Sequence, residues 1–368
     1  MNVILRSIFV GLFVLLSWSA HAQSTFIPAP PQLAAKAWLL MDAASGKVIT
    51  EYQSTQRIAP ASLTKMMTAY IVDHELKAGK ISLNDRALIS KKAWQMGGSK
   101  MFVKVGDTVS VQDLLRGIII QSGNDASIAM AEHIAGSEEA FADLMNQQAQ
   151  RLGMNDTHFM NATGWPDPNH YTTAADLAKL ARAMIYDYPE NYAIYAEKEY
   201  TFNGIRQHNR NLMLWRDKRV DGIKTGHTEE AGYCLVSSAK DDSRGGMRLI
   251  SVVLGTNSTE LRASETQKLL TYGFNFFETH KVYSAGDSLA DGQVWFGKES
   301  SVKIGPANDV YIFIPRGRQK EVGSKVDFTT EIHAPIQKGQ ELGKLVLTLG
   351  DQTISEVPVV AQSDVEEA

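Results

Sequence analysis

The spacing of apolar residues changes character once along this chain, at Tyr283, and that change limits the folds open to it. Before Tyr283, stretches with helical spacing lie between stretches of strand character. After it only short apolar runs remain, at 310–314, 325–332, 344–349 and 354–360, split by Gly, Pro and Asp. The pattern predicts an α+β domain followed by a small all-β domain. A length of 368 residues exceeds the ~100–200 residues of an ordinary single domain and agrees with that division. The expected limits are 23–283 for the first domain, 284–361 for the second and 362–368 for an acidic, disordered tail.

Within the first domain, 37–41 and 48–52 read as a hairpin around a Ser-Gly turn, after an extended lead-in stiffened by Pro28, Pro30 and Pro31. Helical spacing begins at Ser62 and runs to about 78. It returns at 111–120 and 126–134, with 121–125 as an exposed loop between, then at 138–152, where Gly153 suits a C-cap, and at 173–185. Strand character resumes at 220–224, 234–239 and 249–254, and a last helix is expected over 260–279.

At the N-terminus Arg6 precedes an apolar run over 8–16 that is too short to span a bilayer, and Ala20-His21-Ala22 offers a small-x-small cleavage site. Residues 1–22 therefore read as a signal peptide, and the mature protein as exported to the periplasm. Export permits disulfides, yet Cys234 is the only cysteine, so the fold must rest on its core. Its setting, Ala-Gly-Tyr-Cys-Leu-Val, reads as the interior of a strand. The 37 basic and 41 acidic residues give a net charge of -4, which leaves no electrostatic footprint for nucleic acid. No His-Glu-x-x-His or Cys-x-x-Cys spacing occurs, so no metal or other cofactor is expected, and His74, His133, His158 and His170 read as scattered polar residues.

Chemistry is concentrated in three short motifs. Cleaving an amide through a serine needs a nucleophile, a base beside its hydroxyl, donors for the oxyanion and a proton for the leaving amine. Ser62-Leu-Thr-Lys65 puts a hydroxyl and an amine on one face of a helix start. A neutral lysine could take the serine proton, and a second cation nearby, with Lys224 the candidate, would favour that neutral form. Ser-x-x-Lys recurs at Ser237 to Lys240 and Ser300 to Lys303, but a strand throws the first pair to opposite faces and the second lies in the β-rich domain. Ser-x-Asn occurs at Ser82-Leu-Asn84, which reads as a turn, and at Ser122-Gly-Asn124, in the loop between two apolar helices. Lys224-Thr225-Gly226 occurs once, at the end of a strand whose edge could pair with a peptide, with Gly226 leaving room for a substrate backbone.

Ser-x-x-Lys, Ser-x-Asn and Lys-Thr-Gly in this order form the signature of β-lactamases and penicillin-binding proteins. The chain resembles the D-alanyl-D-alanine carboxypeptidases of the low-molecular-mass penicillin-binding protein 5 and 6 group. The likeness runs through Ala-Pro-Ala-Ser-Leu-Thr-Lys65, Gln-Ser-Gly-Asn-Asp-Ala126, Val-Asp-Gly-Ile-Lys-Thr-Gly-His-Thr228, Ile-Pro-Arg-Gly-Arg318 and His-Ala-Pro335. It implies a β-lactamase/transpeptidase-like domain, an antiparallel sheet flanked by helices. It also implies an acyl-enzyme on Ser62 that releases the terminal D-alanine of peptidoglycan stem peptides and is trapped by β-lactam antibiotics. The backbone amides of Ser62 and His227 would form the oxyanion hole, Ser122 and Lys224 would relay protons, and Asn124 would hold the substrate amide. Thr225 and Gly226 would line the substrate strand.

The resemblance singles out three further residues, each with an ordinary alternative. Arg210 or Arg262 could clamp the substrate carboxylate, or be a solvated surface arginine. Asp176 could flank the deacylation water, or merely cap a helix. A lactamase of the commonest class would add a Glu-x-x-Leu-Asn base; the nearest string here, Asp143-Leu-Met-Asn146, lacks the glutamate. An endopeptidase of the same fold and a non-catalytic wall-binding or penicillin-sensing protein are the other readings, the last of which predicts a missing catalytic residue. Relatives usually end in an amphipathic helix that docks on the outer face of the inner membrane. Here the chain ends at Glu366-Glu367-Ala368, so peripheral membrane association would need an anchor absent from this sequence.

Overall fold

A computed structural model describes residues 26–328 and 331–368; the signal peptide expected over 1–22 lies outside them. Five strands form one antiparallel sheet: β1 (Ala37–Asp42), β2 (Val48–Tyr52), β3 (Val220–Thr228), β4 (Gly232–Asp241) and β5 (Met247–Thr256), in the spatial order β2-β1-β5-β4-β3. The chain leaves the sheet after β2 for a long helical excursion and returns to pair β1 with β5, Leu39 opposite Val252. Alternate residues of β1 serve two cores. Leu39 and Met41 face the helical cluster, whereas Trp38 and Leu40 face a second cluster under the helix that follows β5. A sheet covered on both faces explains why its strands read as unbroken apolar runs.

The excursion contains α1 (Thr64–Lys77), α2 (Val111–Ile119), α3 (Asn124–Ala135), α4 (Glu138–Arg151) and α5 (Ala174–Asp187); α6 (Thr259–Phe276) follows β5. Ser110, Ser137, Thr173 and Ser258 cap four of these, each hydroxyl accepting the backbone N–H three residues on. Helix α1 is buried on every side from Thr64 to Asp73, which lets it carry its first residues into the middle of the domain.

The second domain is built from strands, as the change at Tyr283 predicts. Its six-stranded sheet includes Ser301–Pro306, Val322–Phe328, Glu341–Leu349 and Gln352–Ala361 around an apolar core of Ile304, Leu345, Leu347 and Val359. Two expectations fail here. The last helix stops at Phe276, because Phe277 turns extended, stacks on Phe313 with ring centres 4.8 Å apart and opens strand Phe277–Tyr283, which pairs with Val310–Pro315. The second domain's pairing thus begins inside residues assigned to the first. Residues 362–368 are not a loose tail: Val365 is buried and exchanges backbone hydrogen bonds with Ile336, and Lys298 pairs with Glu366. One apolar residue within an acidic run is enough to dock it.

Candidate active site

Ser62 lies in a tight 3-10 turn, Ala61–Leu63, that feeds directly into α1. Ala61 adopts a left-handed conformation, φ 49°, a strained entry that turns the serine toward the cleft. Lys65, the second residue of α1 and one turn on from Ser62, is 1% exposed, and its Nζ has three partners: Ser62 Oγ at 3.1 Å, Asn124 Oδ1 at 2.7 Å and the Thr163 carbonyl at 2.8 Å. Two of these carry no hydrogen. A neutral amine therefore spends both N–H groups on Asn124 and Thr163 and keeps its lone pair for the Ser62 hydroxyl.

Burial is the main force on this amine and brings it down to about 7; the Arg210 guanidinium acts in the same direction and Asp125 opposes. Arg210 acts on Lys65 as a second cation, and Lys224, expected in that part, is coupled to Lys65 as well. Lys224 is itself pushed well below the usual lysine range, first by burial and then by Lys65, Arg210 and Arg262. Its Nζ donates to Ser122 Oγ at 3.0 Å and to the Thr225 carbonyl at 3.1 Å.

Ser122 holds a left-handed conformation, φ 56°, at the turn between α2 and α3. Asn124, expected in that loop, is the first residue of α3. Its Nδ2 donates to the Gly97 carbonyl at 2.9 Å, so both ends of the carboxamide are held by the protein. The neighbouring Asp125 accepts from the backbone N–H groups of Met101, Phe102 and Val103 and so fixes the segment that walls the cleft.

Strand β3 is an edge of the sheet and carries Lys224, Thr225, Gly226 and His227 past Ser62. Gly226 does leave room, but for the protein's own turn: a Cβ there would stand 3.2 Å from Leu63 N and from the Pro60 carbonyl. Gly226 also lines the hollow at Ser62, where a substrate strand would pass. The His227 ring stacks on Tyr233, centres 3.9 Å apart. Arg262 is buried beside them, its guanidinium 5.7 Å from the Tyr233 ring centre; burial lowers it to about 10, so it stays charged at neutral pH. Arg210 is exposed at the mouth and donates to Ser99 Oγ at 2.8 Å. Two hollows of about 270 and 320 Å³ meet at Ser62, the first lined by Ser122, Arg210, Thr225 and Arg262, the second by Gly98, Asn124, Thr163 and Trp165.

Asp176 is not brought to this cleft. It accepts from Asp156 N and Thr157 Oγ1 and pairs with Lys179, pinning the base of the loop whose tip is Thr163–Trp165. The competing motifs stay apart from the site: Ser237 donates to the Gly222 carbonyl inside the sheet, and Ser82 bonds Asp85 in a turn. His170 accepts from Met160 N through Nδ1, so Nε2 carries the proton and donates to Thr64 Oγ1; burial holds it down to about 4, hence neutral. Among the described residues no cluster of His, Cys, Asp or Glu could hold a metal. The motifs did not reveal Ser99, Thr163 or Trp165. Only their place after Gly97-Gly98 and around Gly164, glycines that permit close approach, could have hinted at them.

Comparison with known proteins settles the family. The model of the D-alanyl-D-alanine carboxypeptidase peptidases matches residues 24–258, and that of the penicillin-binding protein 5 C-terminal domain matches 277–367. The chain belongs to the D-alanyl-D-alanine carboxypeptidase family. D-alanyl-D-alanine carboxypeptidase DacC of Escherichia coli (strain K12) is 46% identical over 345 residues, 92% of this chain and 86% of DacC. Penicillin-binding protein 5 from Haemophilus influenzae superposes with a TM-score of 0.88 at 44% identity, covering 92% of this chain and all of that one. Penicillin-binding protein D2 from Listeria monocytogenes, in an ampicillin-bound crystal structure, aligns with 67% of this chain and all of its own at a TM-score of 0.61 and 29% identity. This carboxypeptidase is a serine-type hydrolase with an α+β catalytic domain and an all-β second domain. No helix among its described residues is long and apolar enough to cross a membrane.

Proposed function

We propose that Ser62 is the nucleophile of this carboxypeptidase and Lys65 its base. The observation that carries the reading is the set of partners around Lys65 Nζ, which aims a neutral amine's lone pair at Ser62 Oγ. Lys65 takes the serine proton as Oγ adds to the carbonyl between the two terminal D-alanines. The backbone N–H groups of Ser62 and His227 receive the oxyanion. As the C–N bond breaks, Ser122 gives its proton to the leaving amine and is reprotonated, by way of Lys224, with the proton that Lys65 took from Ser62, so that Lys65 is neutral again; the Lys224 N–H bond to Ser122 Oγ leaves the hydroxyl hydrogen free to point at substrate. Lys65 then takes a proton from water as it adds to the ester and returns it to Ser62 Oγ as the shortened peptide leaves.

The terminal carboxylate fits the hollow that holds Arg210, Arg262 and Thr225, two guanidinium groups against one anion. Asn124 serves the substrate amide only if it yields a bond to Gly97 or Lys65, so its first task is to orient the base. Asp176 acts through the loop it pins. A β-lactam would acylate the same serine, as a ring amide presented to the same groups, and the Listeria protein crystallised with ampicillin supports this. Peptidoglycan stem peptides are the substrate class. We place the mature protein in the periplasm on the strength of the sequence at 1–22.

The test is to offer the mature protein pentapeptide stems and cross-linked muropeptides side by side. Release of D-alanine from the pentapeptide at the higher kcat/KM supports the carboxypeptidase roles; preferential cleavage of the cross-link would make the site an endopeptidase.

A further inference from the structure

We infer that Asn161 is a positioning residue for the base: its carboxamide ties the 161–165 turn into the shape that presents the Thr163 carbonyl to Lys65. The inference rests on the roles given to Ser62 and Lys65 above. Asn161 Oδ1 accepts from the backbone N–H of Gly164 at 2.8 Å and of Thr163 and Trp165 at 3.2 Å each, and from Thr163 Oγ1 at 3.2 Å; Nδ2 donates to the Trp165 carbonyl at 2.9 Å. One side chain thus organises five polar groups of a turn that belongs to no helix or strand. The turn lies directly on the nucleophile's own: a Cβ on Gly164 would fall 1.8 Å from the Ala61 carbonyl. Thr163 is buried there with its carbonyl 2.8 Å from Lys65 Nζ. Asn161-Ala-Thr163 has the form of a glycosylation acceptor, but both polar atoms of this carboxamide are engaged within the turn.

Without that carboxamide the backbone N–H groups of Thr163 and Gly164 lose their acceptor, that of Trp165 keeps only Thr163 Oγ1 at 3.0 Å, and the Thr163 carbonyl is no longer held over Lys65. One N–H of the neutral amine then lacks its acceptor, and the lone pair is free to turn from Ser62. The opened turn also admits water to an amine that burial keeps low, which moves it up toward the ordinary lysine range. The titratable groups that face Lys65, namely Arg210, Lys224 and Asp125, are untouched by the change.

The experiment follows acylation of the mature protein by a fluorescent penicillin across pH, with melting temperatures, for wild type and variants at position 161. Asn161→Ala is expected to slow acylation on the order of 10- to 100-fold, the scale of a misplaced catalytic group, and to move the acid limb to higher pH. Asn161→Gln, with its carboxamide displaced by one methylene, behaves alike and replaces the alanine variant should that one not fold. Asn161→Thr, whose hydroxyl can accept from N–H groups two and three residues on, recovers most of the rate. Wild-type acylation by the alanine or glutamine variant, an acid limb that stays in place, or a threonine variant as slow as alanine would each overturn the proposal. The Ser62 assignment fails by a separate result, labelling of Ser62→Ala.

Discussion

Lys224 Nζ donates to Ser122 Oγ over 3.0 Å, a bond that ties the edge strand of the sheet to the left-handed turn between two helices. Neither group has another way to do its work: Lys224 is buried and driven toward the neutral form, and Ser122 needs a donor to its oxygen if its hydrogen is to face substrate.

From this pair comes a non-additivity. Ser122→Ala and Lys224→Met should each slow D-alanine release on the order of 10²–10⁴-fold, the usual worth of proton transfer, and the double variant should be little worse than either. Steady-state kcat/KM for the three variants checks it. Multiplying losses would mean that the two groups act independently.

The pH dependence of acylation follows from Lys65. The working form is the neutral amine, held at about 7 chiefly by burial, so protonation removes the base as the pH falls. Second-order acylation should therefore be level above about pH 7 and drop about tenfold per unit below it. Rates measured between pH 5 and 9 test this, and a profile that rises toward acid would contradict it.

Stability carries a separate titration, at Asp73. Burial pushes this carboxyl up to about 7, with Glu190 adding to the rise and the 2.8 Å bond from Asn191 opposing it. Between its ordinary value of 3.8 and about 7 the folded state keeps a proton that the unfolded state releases, so stability falls as pH rises through that window. Asp73→Asn, neutral throughout, should gain ~1–3 kcal/mol over wild type at pH 8, and the gain should vanish as the pH approaches 4. Denaturant unfolding at several pH values decides; a gain independent of pH would refute the linkage.

At Gly164 the backbone leaves no room for a side chain. It sits at φ 90° with the Ala61 carbonyl where a Cβ would go. Gly164→Ala should lower stability by more than about 1 kcal/mol and, by lifting Thr163 from Lys65, slow acylation about tenfold or more. Thermal melts and penicillin labelling read both effects.

The three motifs that meet at the cleft are legible because each is short and sits where helix or strand periodicity fixes its direction: Ser62 and Lys65 one turn apart, and Lys224 to His227 along an edge strand. The groups that complete the site are not. Thr163 reaches Lys65 across 98 residues from an irregular loop, and Ser99 reaches Arg210 across 111, distances over which apolar spacing carries no information. Gly226 signals close approach, but a single strand gives no sign that the turn at Pro60 and Leu63 will lie against it. The end of α6 was misplaced because Phe274, Phe276 and Phe277 continue the apolar spacing with no Gly or Pro to stop it, and pairing with Val310–Pro315 decides where the helix yields to strand. Tertiary contact won over local pattern in each case.

The central claim is that one oxygen, Ser62 Oγ, carries the acyl group. Intact-mass analysis of the mature protein after incubation with a penicillin, followed by peptide mapping, tests it most directly. The account predicts a single adduct on the peptide containing Ser62 and none in Ser62→Ala, which should also release no D-alanine; an adduct of equal yield in Ser62→Ala, or one mapping to Ser122, would contradict it.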